Sequence, residues 1–551
     1  MFCFLSNVYF VLMKSIYVLL TIFCLSACQS SEAEKRDDMT PPVPAPFEDL
    51  DTIATNDWWN RGPNPIIDVD VDRNDVICFG MYTVSDGVMK MSAQLFPLYP
   101  QETRTVRLET KRENDWQEIQ TQEINDIGWS ALFRVEDWDT GSDIKYRLRH
   151  GDAATFEGVV RSDPERSEIK LGAFSCNSNK DRGMRDQYVQ NVSHLDPDLL
   201  FFAGDQSYDH KEHTAAWLKF GIQFRDLFRD RPCITIPDDH DIGQGNIWGE
   251  YGKKASSSAG NDGGYFYDVD YVKMVERCQT AHLPDPYDAT PVERGIGVYY
   301  TSLTVGGVDF AILEDRKFKS GPAGKIPQQG PRPDHIRNPD YDPASIDVEG
   351  LELLGQRQLD FIESWGKKNQ GTHMKAVLSQ TGFCGGAHLH GQIENRLHAD
   401  MDSNGWPQTG RNKAVRAIKK ANAVHIAGDQ HLATIVQHGV DEFDDGPWAY
   451  VVPALVNNYY SRWWWPEDEK PGIGANDKLP WTGQYLDGFA NRITMHAYAN
   501  PEGPSSGSGF GLIRFNTTDN SATFEAWPRD VDVTAADAAQ FTGWPMTVSL
   551  D

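Results

Sequence analysis

The stretch FFAGDQSYD at residues 201–209 decides the fold. With Leu199 and Leu200 before it, it forms an apolar run too short and too rich in β-formers for a helix, and it stops abruptly at Gly204 and Asp205. Such a run predicts an interior strand of an α/β sheet, with Gly204 supplying a sharp turn and Asp205 at the carboxyl end, where ligands of such sheets collect. A carboxylate buried there requires a cation. The pattern recurs in PCITIPDDHD (232–241) and NAVHIAGDQH (422–431), two more apolar runs that close on Asp and His. Three strands would bring carboxylates and imidazoles to one rim.

The flanking sequence fits a layered α/β domain over residues 170–530. KLGAFSC (170–176) is another short strand ending in a candidate ligand, Cys176. Residues 215–230 space Trp217, Phe220, Phe224, Leu227 and Phe228 as the apolar face of a packing helix. Strands are expected at 308–313, 374–378 and 423–427, with amphipathic helices at 349–365 and 413–421 between them. Before this domain, residues 58–169 alternate apolar and polar positions in VRLETKR, WQEIQTQEI, SALFRVEDW, IKYRLRH and TFEGVVRS, which predicts an all-β, immunoglobulin-like sandwich. That region carries no titratable cluster, and its Gly151-Asp152 reads as a hairpin. Phe510 to Phe515 and Ala522 to Trp527 read as a closing hairpin, and 531–551 as a C-terminal tail.

The N-terminus reads as an address. Taking Met13 as the start, Lys14 precedes the apolar SIYVLLTIF (15–23), and Leu25-Ser26-Ala27-Cys28 has the form of a lipobox. Cys28 is therefore the expected lipid anchor of an exported bacterial lipoprotein, on the outer-membrane or periplasmic face of the envelope. An uncleaved membrane anchor is the alternative, because residues 1–13 are also apolar. Residues 29–57, with charges, serine and four prolines, have the composition of a tether. The formal net charge of −28 argues against binding to nucleic-acid duplexes and anionic lipid; by itself it says only that the chain is soluble. Outside the leader five cysteines remain, an odd number that leaves at least one unpaired.

Seven segments together carry a family resemblance. Cys176, GDQSY (204–208), PDDHD (237–241), LEDRKF (313–318), LLGQRQ (353–358), DSNGW (402–406) and GDQH (428–431) occur in the order of the motifs of PhoD-like alkaline phosphatases. That family lies within the calcineurin-like metallophosphoesterases, and the resemblance spans roughly residues 60–529. It implies two mixed sheets flanked by helices in a metallophosphoesterase sandwich, and hydrolysis of phosphomonoesters or phosphodiesters by a metal-activated hydroxide.

The resemblance also implies roles. Asp205 matches the carboxylate that bridges two metals, and Tyr208 and Cys176 match a tyrosinate and a thiolate on ferric iron. Asp239 stands where the superfamily has a metal-binding Asn, Asp429 stands where His is usual, and His431 completes the set. Asn246 fills a further calcium position. His240 faces the scissile phosphate, polarised by Asp238 or Asp241, and Arg316 contacts phosphate. Oxygen-rich ligands suit Ca²⁺ beside Fe³⁺ better than two zinc ions, although other divalent metals fit the same donors.

Other readings stay open. His388 and His390 in GGAHLH could face substrate or be solvated, and the aromatic run YYSRWWWP (459–466) could stack on a sugar or pack a cap. Ser162-Asp-Pro-Glu-Arg166 has sulfatase spacing but lies in a polar linker, and GPSSG (503–507) lacks the strand-to-helix setting of a serine hydrolase. A polysaccharide-processing hydrolase or sulfatase, and a non-catalytic glycan-binding lipoprotein on the same scaffold, are the rival functions.

Overall fold

Two mixed β-sheets face one another across an apolar core, and the ends of their strands set the position of the site. A computed structural model describes residues 45–550 except 55–65, 68, 70, 114, 369–370, 388, 391–395, 458, 460, 464–475 and 504–505. The leader with Cys28, most of the tether and His388 lie outside the described residues. Among the described residues no helix is long and apolar enough to cross a membrane.

The first sheet runs Cys233–Thr235, Leu199–Phe202, Glu168–Asn177, Gly509–Asn516, Ser521–Pro528, Met546–Ser549, with Ala454–Val456 parallel to the end of Glu168–Asn177. The second has eight strands, with Val308–Ile312, Met374–Thr381, Ala423–Gly428 and Trp448–Val451 parallel at its centre. Period-two alternation divides the side chains between two faces. Leu171, Ala173, Leu199 and Phe201 point inward to meet Phe310, Ile312, Ala376, Leu378, Val424 and Ile426 of the opposing sheet. Phe174, Leu200 and Phe202 point outward, against the helix His213–Phe228. Phe202 meets Phe220, Phe224 and Phe228 of that helix with ring centroids 5.0, 5.3 and 5.7 Å away. Each such side chain contributes about 1.5–3 kcal/mol on burial. Because both faces are covered, the central strands read as unbroken apolar runs.

On the outer face of the second sheet lie the helices Gly355–Gly366 and Gln408–Lys420, which complete a four-layered α/β fold. The helix expected over 349–365 starts at Gly355, because Gly350 and Gly355 take left-handed φ values of 89° and 68°. The helix expected at 413–421 begins earlier, after Pro407. Residues 531–551, expected as a tail, instead complete a sheet: Met546–Ser549 pairs antiparallel with Ser521–Pro528.

Ahead of these layers, Ile77–Ser85, Val88–Leu95 and Ser130–Val135 form a three-stranded sheet, and Asp115–Glu123, Thr105–Arg112, Ile144–His150 and Ala154–Val160 a four-stranded one. The Ile77–Leu95 hairpin was not among the expected strands. Its residues are buried on both faces, so no polar alternation marks it. Phe79 of this hairpin packs edge-on against Trp217, with ring centroids 5.6 Å apart.

Candidate metal centre

The site begins at the carboxyl ends of three strands. Cys176 N–H donates to Gly204 O at 3.2 Å, Asn177 N–H to Asp205 O at 2.8 Å, and Asp429 N–H to Ser175 Oγ at 2.8 Å, which ties the three ends together. Gly204 has φ of +120°, and a Cβ there would lie 2.5 Å from Asp238 Cβ, so only glycine permits this turn. Four neighbours adopt left-handed φ although none is glycine: Cys176 (53°), Asp205 (61°), Asp429 (67°) and His431 (52°). Each such conformation costs about 1–3 kcal/mol and persists where surrounding structure enforces it, most often at functional sites.

Those residues converge. Donor atoms of Cys176, Asp205 and His431 lie within 4.8 Å of one another, and so do carboxylate oxygens of Asp205, Asp238, Asp239 and Asp429. Asp205 belongs to both groups. Tyr208 Oη sits between two members of the first, 2.7 Å from Asp205 Oδ2 and 3.2 Å from His431 Nε2. Both groups border one open cavity of ≈ 120 Å³, lined by Asp205, Asp239, His240, Asn246, Asp429 and His431 among others.

The electrostatics call for cations. Burial pushes the Asp205 carboxyl well above the usual range, and Asp238, Asp241 and Asp429 push it further. Burial, then Asp205, does the same to Asp239, and Asp429 is raised to about 6 by burial and Asp402. Burial likewise raises Cys176 and Tyr208. Oδ1 of Asp205 and Oδ1 of Asp239 are buried with no hydrogen-bond partner. Buried carboxylate oxygens without donors, beside a thiol, a phenol and an imidazole, fit metal ions: sulfur, phenol and imidazole for one, oxygens for the other.

The other expected site residues stand as follows. Arg316 is 3% exposed, and its guanidinium is engaged by carboxylates: Nε donates to Asp238 Oδ1 at 2.6 Å, Nη1 to Asp402 Oδ1 at 2.5 Å, and Nη2 lies 3.2 Å from Asp429 Oδ1. It is an internal counter-ion of the acidic floor. His240 lines the cavity, but its polarising partner is neither Asp238 nor Asp241. His240 Nδ1 pairs with His210 Nε2 at 2.5 Å, because both carboxylates are taken up by backbone N–H groups and Arg316. Burial, then His210 and His431, lowers His240 to about 3.

Asn246 lines the same cavity and donates its amide to Asp334 Oδ2 at 3.0 Å. The backbone of His390 lies in the two-residue strand Leu389–His390, paired with Ser461–Arg462. Of the aromatic run, Tyr459 meets His431 edge-on at 5.8 Å and lines the cavity, whereas Trp463 is fully buried. All five cysteines outside the leader are free and buried. Sequence reasoning quoted Asp402 only within the motif DSNGW (402–406), without a role, and did not single out Asp400, Asp334 and His335, although Asp402, Asp400 and His335 border the cavity and Asp334, His335 and Asp400 form a further close group. The spacing Asp400-x-Asp402 before Asn404-Gly-Trp was the available signal.

No protein-family model and no curated protein matches the sequence. Solved structures do. The chain superposes on a structure of PhoD with a TM-score of 0.60 at 14% identity, covering 88% of this chain and 92% of that one. The fold is that of PhoD. A second similar structure, purple acid phosphatase PPD1 from yellow lupin (Lupinus luteus) seeds, gives a TM-score of 0.50 at 13% identity, with 85% of this chain and 74% of that one covered. The resemblance read from the motifs and the PhoD-like superposition therefore agree, and at these identities the likeness speaks to the fold.

Proposed function

We propose that this chain is an exported, lipid-anchored phosphoesterase that hydrolyses phosphomonoesters or phosphodiesters at a binuclear metal centre. One observation carries the reading: Asp205 is shared by two sets of ligand atoms at the edge of one open cavity, on the fold of PhoD and of a purple acid phosphatase. Cys176, Tyr208, His431 and Asp205 would hold Fe³⁺, whose acidity suits a thiolate and a phenolate. Asp205, Asp239 and Asp429 would hold Ca²⁺, with Asn246 as a further oxygen donor. When bound, such ions supply an acidified water and neutralise charge on phosphoryl oxygens.

The protein's own side chains do the rest. Arg316 holds Asp238, Asp402 and Asp429 in place and offsets part of their charge. His240 presents a ring nitrogen to the oxygen on which charge develops. Tyr459, at the mouth, offers a planar face to the leaving group. Export and anchoring rest on the lipobox ending at Cys28, and the two N-terminal sheets are read as an immunoglobulin-like domain shielding the catalytic one. The test is a side-by-side assay of an aryl phosphate, a diaryl phosphate and an aryl sulfate, with Asp205→Asn as control. Hydrolysis of a phosphate ester that the variant loses supports the proposal; turnover of the sulfate alone refutes it.

A further inference from the structure

His240 is held by a second histidine. The carboxylates next to it in sequence are committed elsewhere: Asp241 accepts from the backbone N–H groups of Asp205 (2.7 Å), Ser207 (2.9 Å) and Asp238 (2.9 Å). Asp238 accepts from Arg316 and from Asp239 N–H. What meets His240 Nδ1 is His210 Nε2, at 2.5 Å, with ring centroids 4.8 Å apart. Tyr208 stacks on the His240 ring at 4.1 Å and 28°.

The His210 segment is itself fixed by packing. A Cβ at Gly243, the residue closing the turn after His240, would stand 2.2 Å from His210 O, and Tyr271 Oη donates to the same carbonyl at 3.2 Å. The backbone bearing His210 thus rests directly on the turn bearing His240.

We propose that His210 is a positioning residue that fixes the tautomer of His240. Two nitrogens 2.5 Å apart have room for one proton between them. With that proton on His210 Nε2, His240 Nδ1 accepts, and the His240 ring carries its own proton on Nε2, the nitrogen left for the cavity. His240 is then a hydrogen-bond donor to the ester oxygen that gains charge as the bond to phosphorus breaks. With the opposite tautomer it would present a lone pair to that oxygen and repel it. This deepens the phosphoesterase reading above and rests on it.

The experiment compares wild type, His210→Ala and His210→Gln, as purified holoproteins, on nitrophenyl phosphate and on phenyl phosphate. A donor to the leaving oxygen matters more for the poorer leaving group, so kcat of His210→Ala should fall at least ~10-fold further on phenyl phosphate than on the nitrophenyl ester, with KM little changed. Glutamine, which can place an amide N–H where Nε2–H stood, should restore most of the loss. Protein labelled with ¹⁵N-histidine gives a readout independent of turnover: His240 should show a protonated Nε2 and a bare Nδ1 in wild type and His210→Gln, and a mixture of tautomers in His210→Ala. Equal losses on both esters, no recovery with glutamine, or a proton on His240 Nδ1 in wild type would overturn the proposal. If wild type cleaves neither ester, the phosphoesterase reading fails by itself and the nitrogen spectrum still decides the histidine pair.

Discussion

Tyr208 Oη donates a 2.7 Å hydrogen bond to Asp205 Oδ2 while lying 3.2 Å from His431 Nε2, so a phenol, a carboxylate and an imidazole from two separate loops share one corner. Burial raises the phenol well above its usual range, which makes ionisation there dependent on a strongly acidic cation. Ferric iron, if bound to that phenolate as proposed, would give the protein a visible charge-transfer band. The expected outcome for Tyr208→Phe is loss of that band with the fold intact, checked by absorption and circular dichroism spectra of the purified protein.

Asp205 belongs to both ligand groups, and Asp429 and His431 to one each. Elemental analysis should therefore find both ions depleted in Asp205→Ala, mainly the oxygen-bound ion in Asp429→Ala, and mainly iron in His431→Ala. Identical losses in all three variants would mean that the two groups do not act as separate positions.

Arg316 is a buried cation of the acidic floor, and removing it leaves Asp238 without its guanidinium partner and Asp402 with Lys319 and Arg332 as its remaining neighbouring cations. Breaking a buried ion pair by deleting one partner costs about 3–5 kcal/mol. Arg316→Met should lower the urea midpoint by a corresponding amount. Lysine should recover only part of it, because one ammonium cannot span both carboxylates as the guanidinium does.

Asp51 supplies a pH-dependent term away from the metal centre. It accepts from Thr214 N–H at 2.9 Å at the start of helix His213–Phe228, and burial raises it from 3.8 to about 7. A carboxyl whose folded value lies above its unfolded one stabilises the fold fully below the unfolded value, and that stabilisation is lost as pH rises through the folded one. Melting temperatures of wild type minus Asp51→Asn should therefore decline between pH 4 and 7. A difference that stays flat, or grows with pH, contradicts this assignment.

Much of the centre was legible because glycine and aspartate end apolar runs: Asp205, Asp239 and Asp429 all lie where a strand-end reading puts them. The tie between His210 and His240 was not, since a lone histidine in the loop after Asp209 carries no periodic signal. The inward placement of Arg316 was equally hidden, because its partners Asp238 and Asp402 are brought to it only by the tertiary fold. The Ile77–Leu95 hairpin escaped because burial on both sides erases alternation. The edge strand Met546–Ser549 escaped because four residues are too few to show a period.

Anomalous diffraction from crystals of the purified protein, with data at the iron edge and at a longer wavelength sensitive to calcium, measures the shared-carboxylate arrangement directly. Two peaks are expected, one among Cys176, Tyr208 and His431 with iron's absorption, the other beside Asp239 and Asp429, with Asp205 bonded to both. A single ion that Asp205 does not touch, or well-ordered density for these side chains without any anomalous peak, would contradict it.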